Sequence, residues 1–186
     1  VANSSYGSDV KYISYKHSTA TSFSGAGTAT DPYLITSESD LYALSNIINN
    51  GGFSGLTSTD AGAYRTAYYK LTKNLDLSGY LFNPIGTMYS IVTGKYTSNA
   101  GFRGHFDGDG HTINNVKIVY QMSNYVGFFG LLEGSATVKN LTLRNAEIIS
   151  HLDEAGGIAA RMYGSTGLEN VHFNGLVRGS SNVGGI

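Results

Sequence analysis

The sequence predicts an all-β fold, a parallel β-helix with three short strands per coil and one N-terminal capping α-helix. A pattern of asparagine, apolar, any residue, apolar occurs four times, and a second, glycine-centred pattern alternates with it. Recurrence at a period of about 20 to 50 residues is typical of solenoids. The copies of the first pattern begin at Asn74, Asn115, Asn140 and Asn170, and those of the second begin at Val126, Ala155 and Val183.

The composition suits closely stacked strands and excludes several classes of protein. The 25 glycines and 2 prolines favour tight turns between strands. Charged residues make up only 13% of the 186 residues, the formal net charge is −1, and no basic patch stands out. We therefore expect no nucleic-acid partner. The absence of cysteine excludes a disulfide scaffold and thiolate metal sites.

The same composition bears on where the protein resides. Low charge with abundant Ser, Thr, Asn and Tyr favours an exported protein, either secreted or held at the cell surface. No run of about 18 apolar residues occurs, so we predict no membrane-spanning segment. The chain starts at Val1 with a polar stretch, and we expect that any signal peptide has been removed.

The N-terminal part divides into an arm and a cap. Residues 1–24 are polar and are predicted to form an arm lying on the domain, with a disordered leader as the alternative. The β-helix domain is predicted to cover 25–186, with a helical cap at about 37–50. There Ser37 precedes Asp40 by three positions, which is the outline of a capping box. The apolar residues at helical spacing are Leu41, Leu44, Ile47 and Ile48.

The repeats become regular after two irregular segments. Residues 53–67 are predicted to be a loop, and residues 87–100 are predicted to be an insertion relative to the later repeats. From there three coils can be written, 101–124, 125–154 and 155–182, each with three short strands. This layout is typical of a parallel β-helix, in which each coil adds a rung at a spacing of about 4.8 Å.

One corner of successive coils is predicted to carry Asn115, Asn140 and Asn170. Each side-chain amide would bond its neighbour along the axis, because a bend lacks sheet partners for its polar groups. Asn74 would be an imperfect first rung. The residues predicted to face the interior are Phe102, Phe106, Ile113, Val116, Ile118, Val126, Phe128, Leu131, Val138, Leu141, Leu143, Ile148, Ile158, Leu168, Val171 and Phe173.

Several blocks follow one another in a fixed order: Asp31-Pro32-Tyr33-Leu34-Ile35, Pro84-Ile85-Gly86, Phe102 to Ile113 and Val126-Gly127-Phe128-Phe129-Gly130. In these blocks the sequence resembles bacterial surface proteins that carry GLUG repeats, although Asp109 stands where the family usually has Asn. The resemblance covers roughly 25–186, and it implies a right-handed parallel β-helix in an exported, adhesin-like protein. Such repeats also lie beside the catalytic domain of immunoglobulin A-cleaving metalloproteases, and the family implies that the repeat itself is not catalytic.

The segment 103–111 holds the clearest candidate chemistry. Asp107 and Asp109 alternate with His105 and His111, but the glycines among them indicate a turn. We interpret the segment as a structural corner, with a Ca²⁺ site at Asp107 and Asp109 as one alternative and catalysis as another. A zinc site formed by the two histidines lacks a third ligand. We expect no resident cofactor.

Tyrosines in and beside the irregular loops form a second candidate site. A tyrosine ring offers a large flat face to a sugar or a protein at low entropic cost. The alternative is that half or more of these rings pack the loops onto the coils. The predicted binding surface consists of Tyr64, Tyr68, Tyr80, Tyr89 and Tyr96.

Together these features predict a non-catalytic module for adhesion to, or recognition of, an extracellular glycan or protein. One alternative is a polysaccharide lyase or glycoside hydrolase with a groove along the helix. The other is a structural subunit, because the sequence stops in mid-repeat at 183–186. We expect either that the native chain continues past Ile186 or that this edge is covered by self-association into a dimer or fibre.

Overall fold

The computed structural model describes residues 22–50, 58–87, 89–90, 95–96, 101–121 and 123–186. The predicted arm at 1–24 therefore lies almost entirely outside the described residues, as does most of the predicted insertion at 87–100. In the described part the chain is mostly β, with parallel sheets and two helices. No helix in these ranges is long and apolar enough to cross a membrane.

Helix α1 (Glu38–Asn50) confirms the helix predicted at about 37–50. The Ser37 hydroxyl accepts a hydrogen bond from the Asp40 amide at 3.2 Å, as an N-cap residue should. The Asp40 carboxylate turns back to the Thr36 amide and hydroxyl, at 2.8 and 2.7 Å. The apolar face of the helix is fully buried in the core, through Leu41, Leu44, Ile47 and Ile48.

Helix α2 (Ser58–Thr66) corrects the prediction of a loop over 53–67, of which 53–57 lie outside the described residues. Its sequence is a weak helix former with a glycine at position 62. Tertiary contacts stabilise it nonetheless. The Arg65 guanidinium donates two hydrogen bonds to the Ile48 carbonyl, at 3.2 and 3.0 Å, near the end of α1. The Tyr64 ring stacks on Tyr33 at 5.3 Å. The sequence pattern carried no sign of these contacts.

The strands are short except for two near the C-terminal end of the chain. They are β1 (Tyr33–Ile35), β2 (Tyr68–Leu71), β3 (Leu75–Asp76), β4 (Tyr89–Ser90), β5 (Lys95–Tyr96), β6 (His105–Asp107), β7 (Thr112–Asn114), β8 (Lys117–Tyr120), β9 (Tyr125–Val126), β10 (Phe129–Gly134), β11 (Thr137–Ser150), β12 (Glu154–Gly156), β13 (Ala159–Gly164), β14 (Gly167–Arg178) and β15 (Val183–Gly184).

The largest sheet is organised on β11, which pairs in parallel with β6, β7 and β8 along one edge and with β14 along the other. The path continues from β6 through β2 to β1, and from β7 to β3. One smaller parallel sheet pairs β10 with β13. Another pairs β12 with β9 along one edge and with β15 along the other. Among the strand pairs in the described ranges only β4 and β5 are antiparallel, and an isolated antiparallel bridge joins Ser24 to Leu34. Each segment therefore lies beside the segment one repeat earlier.

The predicted asparagine corner is wrong for Asn115. Asn170 donates to the Asn140 side-chain oxygen at 3.0 Å, and Asn140 donates to Asp107 at 3.1 Å, so a ladder exists at this corner. Asn115 instead donates to Asp76 at 2.8 Å and lies level with Asn145, since Arg144 pairs with Asn114 and Glu147 with Lys117. There are thus two asparagine corners.

The reason for this error is that β11 carries asparagines at two different corners, Asn140 and Asn145. The register pairs Thr112 with Thr142 and Lys117 with Glu147, so the spacing from Asn115 to Asn140 joins two different corners and is not one repeat. The first of these corners also varies in length, since only two residues separate Lys139 from Thr142 in β11, whereas four separate their partners Asp107 and Thr112. Asn74 bonds the next coil without joining the ladder, because its side-chain oxygen accepts from the Thr112 amide at 2.8 Å, as an imperfect rung would.

The predicted interior is confirmed through Ile158 and only partly beyond it. The residues from Phe102 to Ile158 in that set are buried, but Leu131, at 8% exposed, lies outside the core cluster, in which its neighbour Leu132 packs instead. Leu168, Val171 and Phe173 on β14 pack against the core but remain partly exposed. The difference has a simple cause: β11 is covered on both edges, whereas β14 pairs with β11 alone among the described strands.

Candidate binding groove

The outward-facing side chains of four neighbouring strands form a row across the large sheet. Tyr68 of β2 pairs with His105 of β6, which pairs with Thr137 of β11, which pairs with Gly167 of β14. Successive residues of a strand point to opposite faces. The neighbours Tyr69, Phe106 and Val138 are accordingly buried inside, and this row lies outside.

A second outward row, two residues further along each strand, carries alternating charge. It consists of Lys70, Asp107, Lys139 and Glu169, in register. Lys139 Nζ lies 3.2 Å from the Asp107 carboxylate, and Lys70 Nζ lies 3.1 Å from the carboxylate of Asp109 at the adjoining corner. Both lysines therefore pair with carboxylates of the same face.

The two rows line a groove of about 790 Å³, within the range of ligand sites in proteins. Its third side is the turn that carries Ala29, Thr30 and Pro32. Backbone hydrogen bonds hold this turn in place, because Tyr68 donates to the Gly27 carbonyl at 3.0 Å and Thr28 donates to Asp31 at 3.1 Å. The left-handed backbone at Gly27, with φ of 73°, brings the turn back toward the sheet.

An aromatic stack lies at one end of the first outward row. The rings of Tyr68 and His105 lie 4.2 Å apart with an angle of 26° between their planes. His105 Nδ1 lies 2.8 Å from the Thr137 hydroxyl. Burial lowers the pKa of His105 below its ordinary value of 6.5, so the imidazole is neutral at pH 7. After Thr137 the row ends at Gly167, which has no side chain.

The Asp107 carboxylate is held by several partners. Burial raises its pKa, but hydrogen bonds from the Asp109 amide, Asn140 and Lys139, with the charge of Lys139, outweigh burial and leave the pKa lowered. Its Oδ1 accepts from the Asp109 amide at 2.9 Å. Gly108 is required at this corner, since a side chain there would collide with the backbone of Asn140 and Leu141.

These partners bear on the predicted Ca²⁺ alternative. Asp107 and Asp109 each face a lysine, and in the part of the chain that the structure describes no three His, Asp or Glu side chains cluster as metal ligands would. The arrangement fits the interpretation of a structural corner. The carboxylates of Asp107 and Asp109 can supply hydrogen-bond acceptors along the rim of the groove.

Of the five predicted tyrosines the structure describes three side chains, those of Tyr64, Tyr68 and Tyr80, and these lie in separate environments. Tyr64 packs in an aromatic cluster with Phe23 and Tyr33. Tyr68 lines the groove. Tyr80 is 40% exposed and borders a different depression of about 260 Å³. The backbones of Tyr89 and Tyr96 pair between β4 and β5, and their rings lie outside the described part. One surface of five tyrosines is therefore not formed by the described residues.

Sequence reasoning missed His105, Thr137, Lys139 and Glu169 as groove residues. A signal was present, because β6, β11 and β14 each alternate a buried or half-buried residue with an outward polar one. Only the register shows that these residues are neighbours.

Comparison with known proteins gives two relatives by sequence and one by structure. No protein-family model matches the chain. Halomucin from Haloquadratum walsbyi is 31% identical over 166 residues, which cover 88% of this chain and 2% of Halomucin. A protein of Evansella cellulosilytica, named as a Gly-rich membrane protein, is 29% identical over 120 residues, covering 64% of this chain and 12% of that protein.

The structural relative is a protein from Bacteroides ovatus named as an immunoglobulin A1 protease. It superposes with a TM-score of 0.52 and 18% identity, over 87% of this chain and 62% of that chain. This likeness shows a shared fold, and it agrees with the part of the predicted resemblance that pointed to immunoglobulin A-cleaving proteases. The chain spans a small fraction of its sequence relatives and less than two thirds of the length of its structural relative.

Proposed function

We propose that the chain is a right-handed parallel β-helix module of the GLUG-repeat type, with α1 and α2 as its N-terminal cap. The parallel pairing of each segment with the segment one repeat earlier supports this architecture. So does the asparagine ladder from Asn170 through Asn140 to Asp107. The apolar face of α1, buried in the same core as the strands, supports its role as a cap.

The function that the geometry supports best is non-catalytic recognition at the cell surface or in a secreted protein. The observation that carries it is the groove of about 790 Å³ on the outer face of the sheet. The carboxylate of Asp107 in this groove contacts Lys139, Asn140 and the Asp109 amide. A carboxylate with so many partners suits a structural role in a binding surface better than the role of a general acid or base. The two sequence relatives are named Halomucin and Gly-rich membrane protein, and these names support a location of this chain in the cell envelope.

The test compares binding with catalysis on the same ligands. The purified chain would be applied to glycan and protein arrays, and any bound ligand would then be incubated with it and its products analysed by mass spectrometry. We expect retention of intact ligand. Release of fragments that is lost in Asp107→Asn and Asp109→Asn would overturn the proposal in favour of a lyase or hydrolase.

A second candidate, self-association, is favoured by the partly exposed apolar residues of β14. Leu168, Val171 and Phe173 face the core side, yet no strand in the described part of the chain covers them. Either a further repeat of a longer chain or a second copy would bury them. Light scattering across concentration tests the second copy: we expect a mass that rises with concentration if it operates, and a constant monomer mass would exclude it.

A further inference from the structure

We propose that the groove binds an extended, uncharged glycan that lies across the strands, along the row from Tyr68 to Gly167. This inference rests on the proposed recognition function and names the class of ligand. The row crosses four strands, and three inter-strand steps of about 4.8 Å give a length of about 14 Å. One sugar ring is about as long as one such step, so the row accommodates a short run of rings.

The charge of the lining favours an uncharged ligand. Two lysines, one aspartate and one glutamate line the groove, which gives no net charge. Lys139 and Lys70 already contact carboxylates at 3.2 and 3.1 Å. His105 adds no charge at pH 7, because burial keeps it neutral. An acidic polysaccharide would have to displace Asp107 and Asp109 from these lysines. Because the lining has no excess of positive charge, nothing would offset the loss of these two ion pairs.

The backbone of the groove floor argues against a peptide. Peptides that bind sheets usually add a strand and pair with free backbone groups. At the groove, β2, β6 and β11 are paired on both edges, so their backbone groups are engaged within the sheet. Of the four strands only β14 has an outer edge that no described strand pairs, and this edge runs along the end of the row and not across it. A ligand that crosses these strands must bind to side chains. Hydroxyl-rich sugars suit such a surface.

The side chains offer what a sugar requires. The Tyr68–His105 stack and Pro32 supply apolar surface for the C–H groups of a sugar ring. Thr137, Glu169 and the rim of paired charges supply hydrogen-bond groups for its hydroxyls. The Nδ1 atom of His105 faces Thr137, whereas its Nε2 atom bonds none of the described residues and can bond a ligand hydroxyl.

Gly167 allows the groove to be filled without strain. A Cβ atom built there would meet only the Thr137 methyl group, at an ordinary 3.9 Å. Gly167→Val therefore places a branched side chain on the floor of the groove in a conformation that strands favour. Gly185 is the matched control: it is exposed, a Cβ there would meet nothing within 4 Å, and it does not line the groove.

The experiment uses the full chain and three series of probes. Linear neutral oligosaccharides of glucose, mannose or galactose, from two to six units, are compared with sialylated, sulfated and uronic-acid glycans of similar length. Affinities are measured by calorimetry at low salt and at about 0.5 M salt, where exposed charges are screened. Unlabelled peptides form the third series.

We expect binding of at least one neutral series, with affinity rising with length until the row is filled. Salt should change it by less than about twofold, since screening acts only on charge. Gly167→Val and Tyr68→Ala should each weaken binding about tenfold or more, and Gly185→Val should not. Circular dichroism of each variant separates lost binding from lost folding.

Other outcomes overturn the inference in distinguishable ways. Binding of acidic glycans or peptides that Gly167→Val abolishes would refute the ligand class and leave the recognition function standing. Binding of neutral glycans unaffected by Gly167→Val and Tyr68→Ala would refute the groove as the site. Failure of every glycan, peptide and arrayed protein to bind would refute the proposed function together with this inference.

Discussion

The two faces of the same strands differ in how tightly their residues are fixed. On the inner face of β2, β6 and β11, Tyr69 and Phe106 are 1% exposed and Val138 is fully buried. On the outer face, the residues that precede them on the same strands, Tyr68, His105 and Thr137, are in register with one another and are half-buried. The inner residues are surrounded by core, whereas each outer residue touches mainly the residue on the next strand.

This difference separates the stability of the fold from its recognition properties. A change on the inner face alters packing on several sides and should affect the whole domain. A change on the outer face alters one or two contacts and should affect mainly what the groove binds. Four predictions, in order of decreasing effect on stability, examine how far this separation holds.

The largest effect is expected for Phe106→Ala. The ring is buried and meets Phe129 edge to face at 5.7 Å, so its removal leaves a cavity. We expect a loss of about 3–5 kcal/mol in the free energy of unfolding. Urea denaturation followed by circular dichroism measures it. The control is Thr137→Ala on the outer face, and equal losses for the two variants would contradict the difference between the faces.

The corner between the faces should give an intermediate effect. Asn140 has a left-handed backbone with φ of 52°, and its amide joins Asp107 to Asn170. Asn140→Ala should lose about 1–2 kcal/mol to backbone strain, and the lost hydrogen bonds should add about 1 kcal/mol. Asn140→Gly relieves the strain and loses only the hydrogen bonds. Denaturation of both variants separates the two terms, and a fully stable glycine variant would show that the ladder contributes nothing.

The aromatic stack on the outer face should contribute less. Tyr68 and His105 stack at 4.2 Å at the surface, and aromatic pairs are worth about 0.5–1.5 kcal/mol beyond burial. A double-mutant cycle with Tyr68→Ala and His105→Ala measures their coupling free energy directly. A coupling near zero would mean that the two rings are held by their own strands and not by each other.

The smallest effect is a pH dependence from His105. Its folded-state pKa lies below 6.5, so between those two pKa values the unfolded chain binds more protons and stability falls as the pH falls. The groups around the ring are Tyr68 and Thr137, with Lys70, Asp107 and Lys139 in the adjoining row. His105→Gln should flatten the decline in denaturation midpoint below pH 6.5. The same slope in both proteins would assign the decline to other groups, and the exposed His172→Gln is the control.

Local pattern predicted the parts of the fold that local chemistry decides. The helix at 37–50 followed from its cap and apolar spacing, and the interior followed from alternation along each strand. Helix α2 did not, because Arg65 and Tyr64 stabilise it through residues distant in sequence. The place of Asn115 did not either, because β11 carries asparagines at two corners and only the strand pairing shows that Asn145 is the one level with Asn115.

The groove was beyond the sequence for the same reason. Thr137 and His105 are 32 residues apart in sequence, and nothing local to either indicates that their side chains meet at 2.8 Å. Tyr68 was predicted as a binding residue together with Tyr64, but Tyr64 lies in an interior aromatic cluster. Residue type alone cannot distinguish a tyrosine that packs from one that lines a surface.

The corner at Asp107–Thr112, two residues longer than its neighbour in β11, also indicates how such a chain can change in length. The strands on either side of it keep their pairing with β11 despite the added residues. A second irregularity between Arg144 and Ala146 absorbs one residue in the same way. Insertions at these corners would leave the pairing of the flanking strands intact. Evolution, or an engineer, can therefore build new loops beside the groove without redesigning the strands beneath it.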